Sequence, residues 1–206
     1  MSNNKCPPYK VTFSGSDKYG KQRLELAIHL REVLNKLKLN WYVENGTLLG
    51  AFRNGKFIKH DDDFDIALLY QEDPLENLKK DLKLIQANIN PTFKARLVET
   101  YTKKIEVFNP SFGKYALIGD RYDGADFHHV TVDLQSYYYQ NDYYVSTYNY
   151  NKLKNHQDDI FPLTKILFEG EYFPAPVNTI KILENEYGSI DENATFNPLT
   201  KKYELS

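Results

Sequence analysis

The chain has 206 residues, 41% of them apolar and 26% charged, with a formal net charge of −2. That length is one ordinary domain, that composition is globular and neither fibrous nor disordered, and that charge argues against a surface built for nucleic acid, which shows as a basic excess. A single cysteine, Cys6, excludes a disulfide framework and a multi-cysteine zinc site. Polar residues fill Met1 to Asn4 and no apolar run reaches 18 residues, so neither a signal peptide nor a membrane-spanning helix is expected, and a cytoplasmic location is the simplest expectation.

No repeat or low-complexity linker divides the chain, so one domain over 1–206 is expected, with 1–17 as a peripheral N-terminal segment. From Tyr19 to Leu39, Leu24, Ala27, Leu30, Leu34 and Leu37 recur at spacings of three and four, the mark of an amphipathic helix. Trp41-Tyr42-Val43 reads as a short buried strand. Gly46 to Arg53 reads as a glycine turn leading into a short helix closed by Asn54-Gly55. Phe57-Ile58 and Phe64 to Leu68 suggest strand on either side of the acidic run. Pro74 to Ile89 is helical, with proline in the first turn and Leu75, Leu78, Leu82 and Ile85 as its stripe. Thr92 to Tyr150 is β-branched and aromatic, with turns expected at Asn109-Pro110, Asp123-Gly124 and Asn141-Asp142. Ile180 to Tyr187 returns to helix and Gly188 ends it. This order predicts an α+β fold with a mixed or antiparallel sheet flanked by helices.

Asp61, Asp62, Asp63 and Asp65 stand directly before the apolar run Ile66 to Leu69. On a strand, residues two apart share a face, so Asp63 and Asp65 would aim two carboxylates one way with Phe64 turned inward. Like charges crowded at a semi-buried edge disfavour ionisation unless a cation neutralises them, and hard divalent ions suit an all-oxygen set. Asp133, in the alternating run Val130 to Leu134, is a third candidate ligand. Three carboxylates converging on one or two metals suit displacement at phosphorus. On spacing alone, a solvated acidic loop with Asp133 as an ordinary edge residue fits equally well. A calcium loop does not: its sixth position needs glycine, and here Ile66 stands there.

Taken together, Gly46-Thr47-Leu48-Leu49-Gly50-Ala51-Phe52-Arg53 followed by Asp61-Asp62-Asp63-Phe64-Asp65-Ile66 closely resembles the signature of the LicD/fukutin family of the nucleotidyltransferase-fold superfamily. Weaker echoes lie at Val132-Asp133-Leu134, at Ile160 to Leu163 and from Phe168 to Gly188. The resemblance implies a nucleotidyltransferase-like fold. It also implies a metal-dependent phosphotransferase that moves phosphocholine, ribitol phosphate or a similar phospho-alcohol from a CDP-linked donor to a carbohydrate hydroxyl. Nucleotidyl transfer from an NTP is the alternative, and a binding protein that kept the fold without the chemistry is another. Carried over by position, Asp63, Asp65 and Asp133 become metal ligands and catalytic groups, for Mg²⁺ or Mn²⁺ and two ions. Gly46 and Thr47 become a phosphate-binding turn and Arg53 a phosphate-binding guanidinium. Lys59-His60 stand where the family often has a tryptophan, the zinc-binding Cys/His set of the fukutin-related branch is missing, and His128-His129 lie side by side. A core-only member is therefore expected. The tyrosines from Tyr137 to Tyr150 could stack on a base or enclose a choline ammonium, although alternating tyrosines are also ordinary sheet packing, which is the reading favoured here.

Overall fold

A computed structural model describes residues 15–58, 61, 63–100, 102–115, 127–148, 153–191, 193–197, 199–200 and 202–205. Cys6, Lys59, His60, Asp62, Tyr150 and the expected Asp123-Gly124 turn lie outside them. In chain order the elements are α1 (Gly15–Lys36), β1 (Trp41–Val43), α2 (Asn45–Asn54), β2 (Asp65–Tyr70), α3 (Pro74–Asn88), β3 (Lys94–Val98), β4 (Lys104–Tyr115) and β5 (Phe127–Gln140). There follow β6 (Tyr143–Ser146), β7 (Lys154–His156), α4 (Gln157–Ile160), β8 (Thr164–Phe168), β9 (Glu171–Ala175), α5 (Thr179–Tyr187), β10 (Thr195–Asn197) and β11 (Lys202–Glu204). The architecture is α+β with a mixed sheet.

Seven strands form one sheet in the order β1-β2-β5-β4-β3, with β6 and then β7 added to β5. The 14 residues of β5 make this possible. Its first half pairs with β4 on one side, its second half pairs with β6 on that same side, and β2 runs along the other. Among the described strands, β2 and β5 are the single parallel pair, with Asp65 opposite Asp133.

Alternation separates the two faces. Ile66, Leu68, Ile105, Val107, Val132 and Leu134 are all buried on one face. The apolar stripe of α1 (Leu26, Leu30, Val33, Leu34) and that of α3 (Leu78, Ile85) join the same core, and Tyr70 on that face donates to Asp81 of α3 (2.7 Å). The opposite face carries Arg96, Glu106, Asp133 and Asp65 in register across four strands, with Lys104 two residues before Glu106 on β4. Charged groups this deeply placed are stable only when paired or neutralised.

Several local expectations are corrected. Gly46 lies inside α2 and not in a turn before it; Glu44 is the N-cap, and Asn45 starts the helix with φ 48°. Gly55 closes α2 in the left-handed region (φ 66°), and its N–H reaches the Ala51 carbonyl, the conformation that favours glycine at that position. Phe57-Ile58 is not strand. Asn109-Pro110 makes no chain reversal: β4 continues through it with a bulge between Phe108 and Gly113. Proline cannot donate to a ladder, and Asn109 Oδ1 accepts the Ser111 N–H (3.0 Å), so the turn-forming residues are absorbed as extra residues in the strand. Asn141-Asp142 is a tight hairpin turn with both residues at positive φ (50° and 65°).

The tyrosine tract is largely sheet packing. Tyr137 and Tyr144 are buried, and Tyr139 meets its cross-strand partner Tyr144 edge to face at 5.5 Å.

Candidate metal and phosphate site

Each element brings its side chain here for a local reason. Glu44, immediately after β1, donates its N–H to the Asp65 carbonyl (3.1 Å), which ties the start of α2 to the start of β2. One turn later, the fully buried Thr47 hydroxyl accepts the Asp65 N–H (2.9 Å). Asp133 N–H in turn donates to the Phe64 carbonyl (2.8 Å). The backbones of Asp65 and Asp133 are therefore fixed by three different elements before any ligand arrives.

The strand begins at Asp65, so Asp63 stands just ahead of it and not within it. Even so, one carboxylate oxygen from each of Asp63, Asp65 and Asp133 lies within 4.8 Å of the other two. Burial, followed by repulsion from Asp63, Asp61 and Asp133, pushes the Asp65 carboxyl well above the usual carboxylate range. Burial raises Asp133 as well, opposed by the Lys104 ammonium. Both shifts signal a site short of positive charge. Asp133 Oδ1 is buried and makes no hydrogen bond, while the Thr131 side chain helps to hold the carboxylate in its charged form. Three converging hard oxygens, with a buried Asp133 oxygen that makes no hydrogen bond, fit a Mg²⁺- or Mn²⁺-type cation.

Beside the carboxylates lies a cleft of about 260 Å³ lined by Asn45, Gly46, Arg53, Asp61, Asp65 and Glu186, among others. Gly46 leaves space here: a Cβ would sit 2.5 Å from Asp61 Oδ2, so the Asp61 carboxylate would have to move. Arg53 is held in place by main-chain carbonyls, donating from Nε to Ile190 (3.0 Å) and from Nη2 to Asp191 (3.1 Å). Tyr187 and Tyr203 form another part of the wall. Of the residues expected from the sequence, Gly46, Arg53 and Asp65 line this cleft, Asp63 and Asp133 converge with Asp65, and Thr47 lies beneath as its support.

The segment from Phe168 to Pro176 belongs to the β8–β9 hairpin, which has a core side. Phe168 and Phe173 are fully buried; Phe168 meets Phe57 and Phe64 edge-on at centroid distances of 4.7 and 5.6 Å, and Phe173 meets Phe64 at a tilt at 5.2 Å. Glu169, in the hairpin turn, accepts the Phe57 N–H (3.0 Å) and donates its own N–H to the Gly55 carbonyl (2.7 Å). The hairpin thus pins the connection between α2 and the aspartates.

Two groups escaped the sequence reading. Lys104 is buried, and its Nζ bonds Asp133 Oδ2 and Glu106 Oε1 (3.0 Å); Glu106 is paired again with Arg96 (2.6 Å). The alternation Lys104-Ile105-Glu106-Val107 held the signal, because two charges spaced by two among buried apolar residues face the same way as Asp133. Glu44 and Glu186 form the second group. Glu44 is buried and hydrogen-bonded by Tyr137, and burial raises it well above the usual range. Glu186, to which the Asn45 amide donates (2.8 Å), is pushed by burial up to about 7.

Two comparisons with known proteins bear on this arrangement. The family model described as LicD/FKTN/FKRP, nucleotidyltransferase domain, matches residues 38–178. An uncharacterized protein of Rickettsia typhi is 24% identical over 182 residues, which is 87% of this chain and 50% of that protein. The chain therefore spans half the length of that curated relative. Among the described residues no helix is long and apolar enough to cross a membrane.

Proposed function

The chain belongs to the LicD/FKTN/FKRP family, and on that premise we propose that it is a metal-dependent phosphotransferase that moves a phospho-alcohol, such as phosphocholine or ribitol phosphate, from a CDP-linked donor to a glycan hydroxyl. The observation that carries this reading is the convergence of Asp63, Asp65 and Asp133 beside a cleft that holds Arg53. A bound Mg²⁺ or Mn²⁺ would supply charge neutralisation at the phosphate oxygens.

The chain's own residues would do the rest. Asp63 and Asp65 hold the cation, and Asp65 is pre-oriented by Thr47 and Glu44. Arg53, locked by two carbonyls, presents a fixed positive charge to a phosphate group. Asp133 Oδ1 takes up the proton of the incoming hydroxyl or ligates the cation. Gly46 leaves room for Asp61 beside the first turn of α2, where the N-terminal end of the helix favours anions.

The test is a thermal-shift panel of CDP-choline, CDP-ribitol, CDP-glycerol, CTP and ATP with and without Mg²⁺, on the wild type and Asp63→Ala. A ligand that binds only the native state raises Tm. Stabilisation by one CDP-alcohol, lost in Asp63→Ala and without Mg²⁺, is the expected result. A preference for CTP or ATP would replace this reading with nucleotidyl transfer, and no metal-dependent shift from any of them would leave a non-catalytic binding protein.

A further inference from the structure

Lys104 reaches the carboxylate triad from β4 and is not among the cleft-lining residues, and its charge has a specific destination. Arg96, Glu106 and Asp133 lie in register across β3, β4 and β5, and Lys104, two residues before Glu106 on β4, bonds both of those acids. Glu106 has Arg96 as its own partner at 2.6 Å. The Lys104 ammonium, its side chain only 5% exposed, also bonds Asp133 Oδ2. One of the two Asp133 oxygens is therefore occupied by a resident cation, while the other, Oδ1, is buried and makes no hydrogen bond.

Two-metal sites for phosphoryl transfer hold their ions about 3.5–4 Å apart and need carboxylate oxygens to share between them. Here the three aspartates with Lys104 carry a net of two negative charges, which one divalent ion balances. A second ion at Asp133 Oδ2 would have to displace a buried ammonium and leave it beside two divalent charges. From this geometry we infer that Lys104 occupies the place of a second metal ion, so that the site takes one divalent cation held by Asp63, Asp65 and Asp133. The inference rests on the metal-dependent reading above and departs from the two ions expected from the family resemblance. It makes Lys104 a positioning residue for Asp133.

The experiment counts the ions directly. Crystals of the full chain soaked with Mn²⁺ and CDP are expected to show one anomalous peak among the three aspartates, with Lys104 still on Asp133. Two peaks about 3.5–4 Å apart would overturn the inference. In solution, the loss of the free-Mn²⁺ electron paramagnetic resonance signal should report one site for the wild type and for Lys104→Arg, and two for Lys104→Met, with circular dichroism confirming that each variant is folded. A folded Lys104→Met that still binds one ion would also overturn it; if that variant does not fold, the wild-type peak count decides. Absence of any Mn²⁺ binding would remove both this inference and the metal-dependent function. One bound Mn²⁺ with no response to any CDP-alcohol would remove the proposed donor and leave the role of Lys104 standing.

Discussion

The Thr47 hydroxyl does its work without touching the cleft. It accepts the Asp65 N–H from a fully buried position, so Thr47→Val should strand a buried donor and cost about 1–3 kcal/mol. Thr47→Ser keeps the acceptor and should recover most of that loss; urea unfolding midpoints of the two variants provide the check. The example also shows how far residue types could be read. Three aspartates were recognisable because their charge is anomalous beside an apolar run. Thr47 was recognisable only through family resemblance, which suggested contact with phosphate, whereas its hydrogen bond goes to the strand that carries Asp65. A hydroxyl is compatible with either use, and only the tertiary register decides between them.

Elements were legible where periodicity was strong and hidden where it was not. The stripes of α1 and α3 and the turn at Asn141-Asp142 follow from spacing and turn chemistry alone. The β8–β9 hairpin did not: its strands are five residues each and lie outside the main sheet, and its turn residues, Glu169-Gly170, carry no strong hairpin signal. Its importance comes from packing. Phe168 sits at the centre of a four-phenylalanine cluster that includes Phe64, the residue between Asp63 and Asp65. Phe168→Ala should therefore lower stability by about 3–5 kcal/mol, the usual range for emptying a buried aromatic site. It should also weaken Mn²⁺ binding, because the connection from Gly55 to the aspartates loses its anchor. Calorimetric unfolding with and without Mn²⁺ would separate the two effects.

At the scale of the whole molecule, the cleft is assembled from two sources. Its aspartates, Gly46 and Arg53 fall within residues 38–178, the stretch that matches the family, whereas Glu186, Tyr187 and Tyr203 come from beyond it. Glu186 gives this later wall a measurable signature. Its folded pKa is raised from the ordinary 4.5 to about 7, so between those values the folded state retains a proton that the unfolded state has lost. Stability should then fall as pH rises from 4.5 to 7 and level off above. Glu186→Gln should flatten that segment of the Tm-versus-pH curve and be more stable than the wild type above pH 7. An unchanged slope in this variant would assign the effect to other groups.

The parallel pairing of β2 with β5 also has a kinetic consequence. Asp65 and Asp133 face each other only after the chain between them, with α3, β3 and β4, has closed into the sheet. Such a contact has high sequence separation, and its loop-closure entropy is met late, as the sheet closes. A cation that needs both carboxylates has no complete site in the early folding ensemble. Its binding energy should therefore appear mainly as slower unfolding, with the rate of folding left almost unchanged. On the proposed metal-dependent reading, a bound cation would act as a latch on a finished sheet and not as a nucleus for building it.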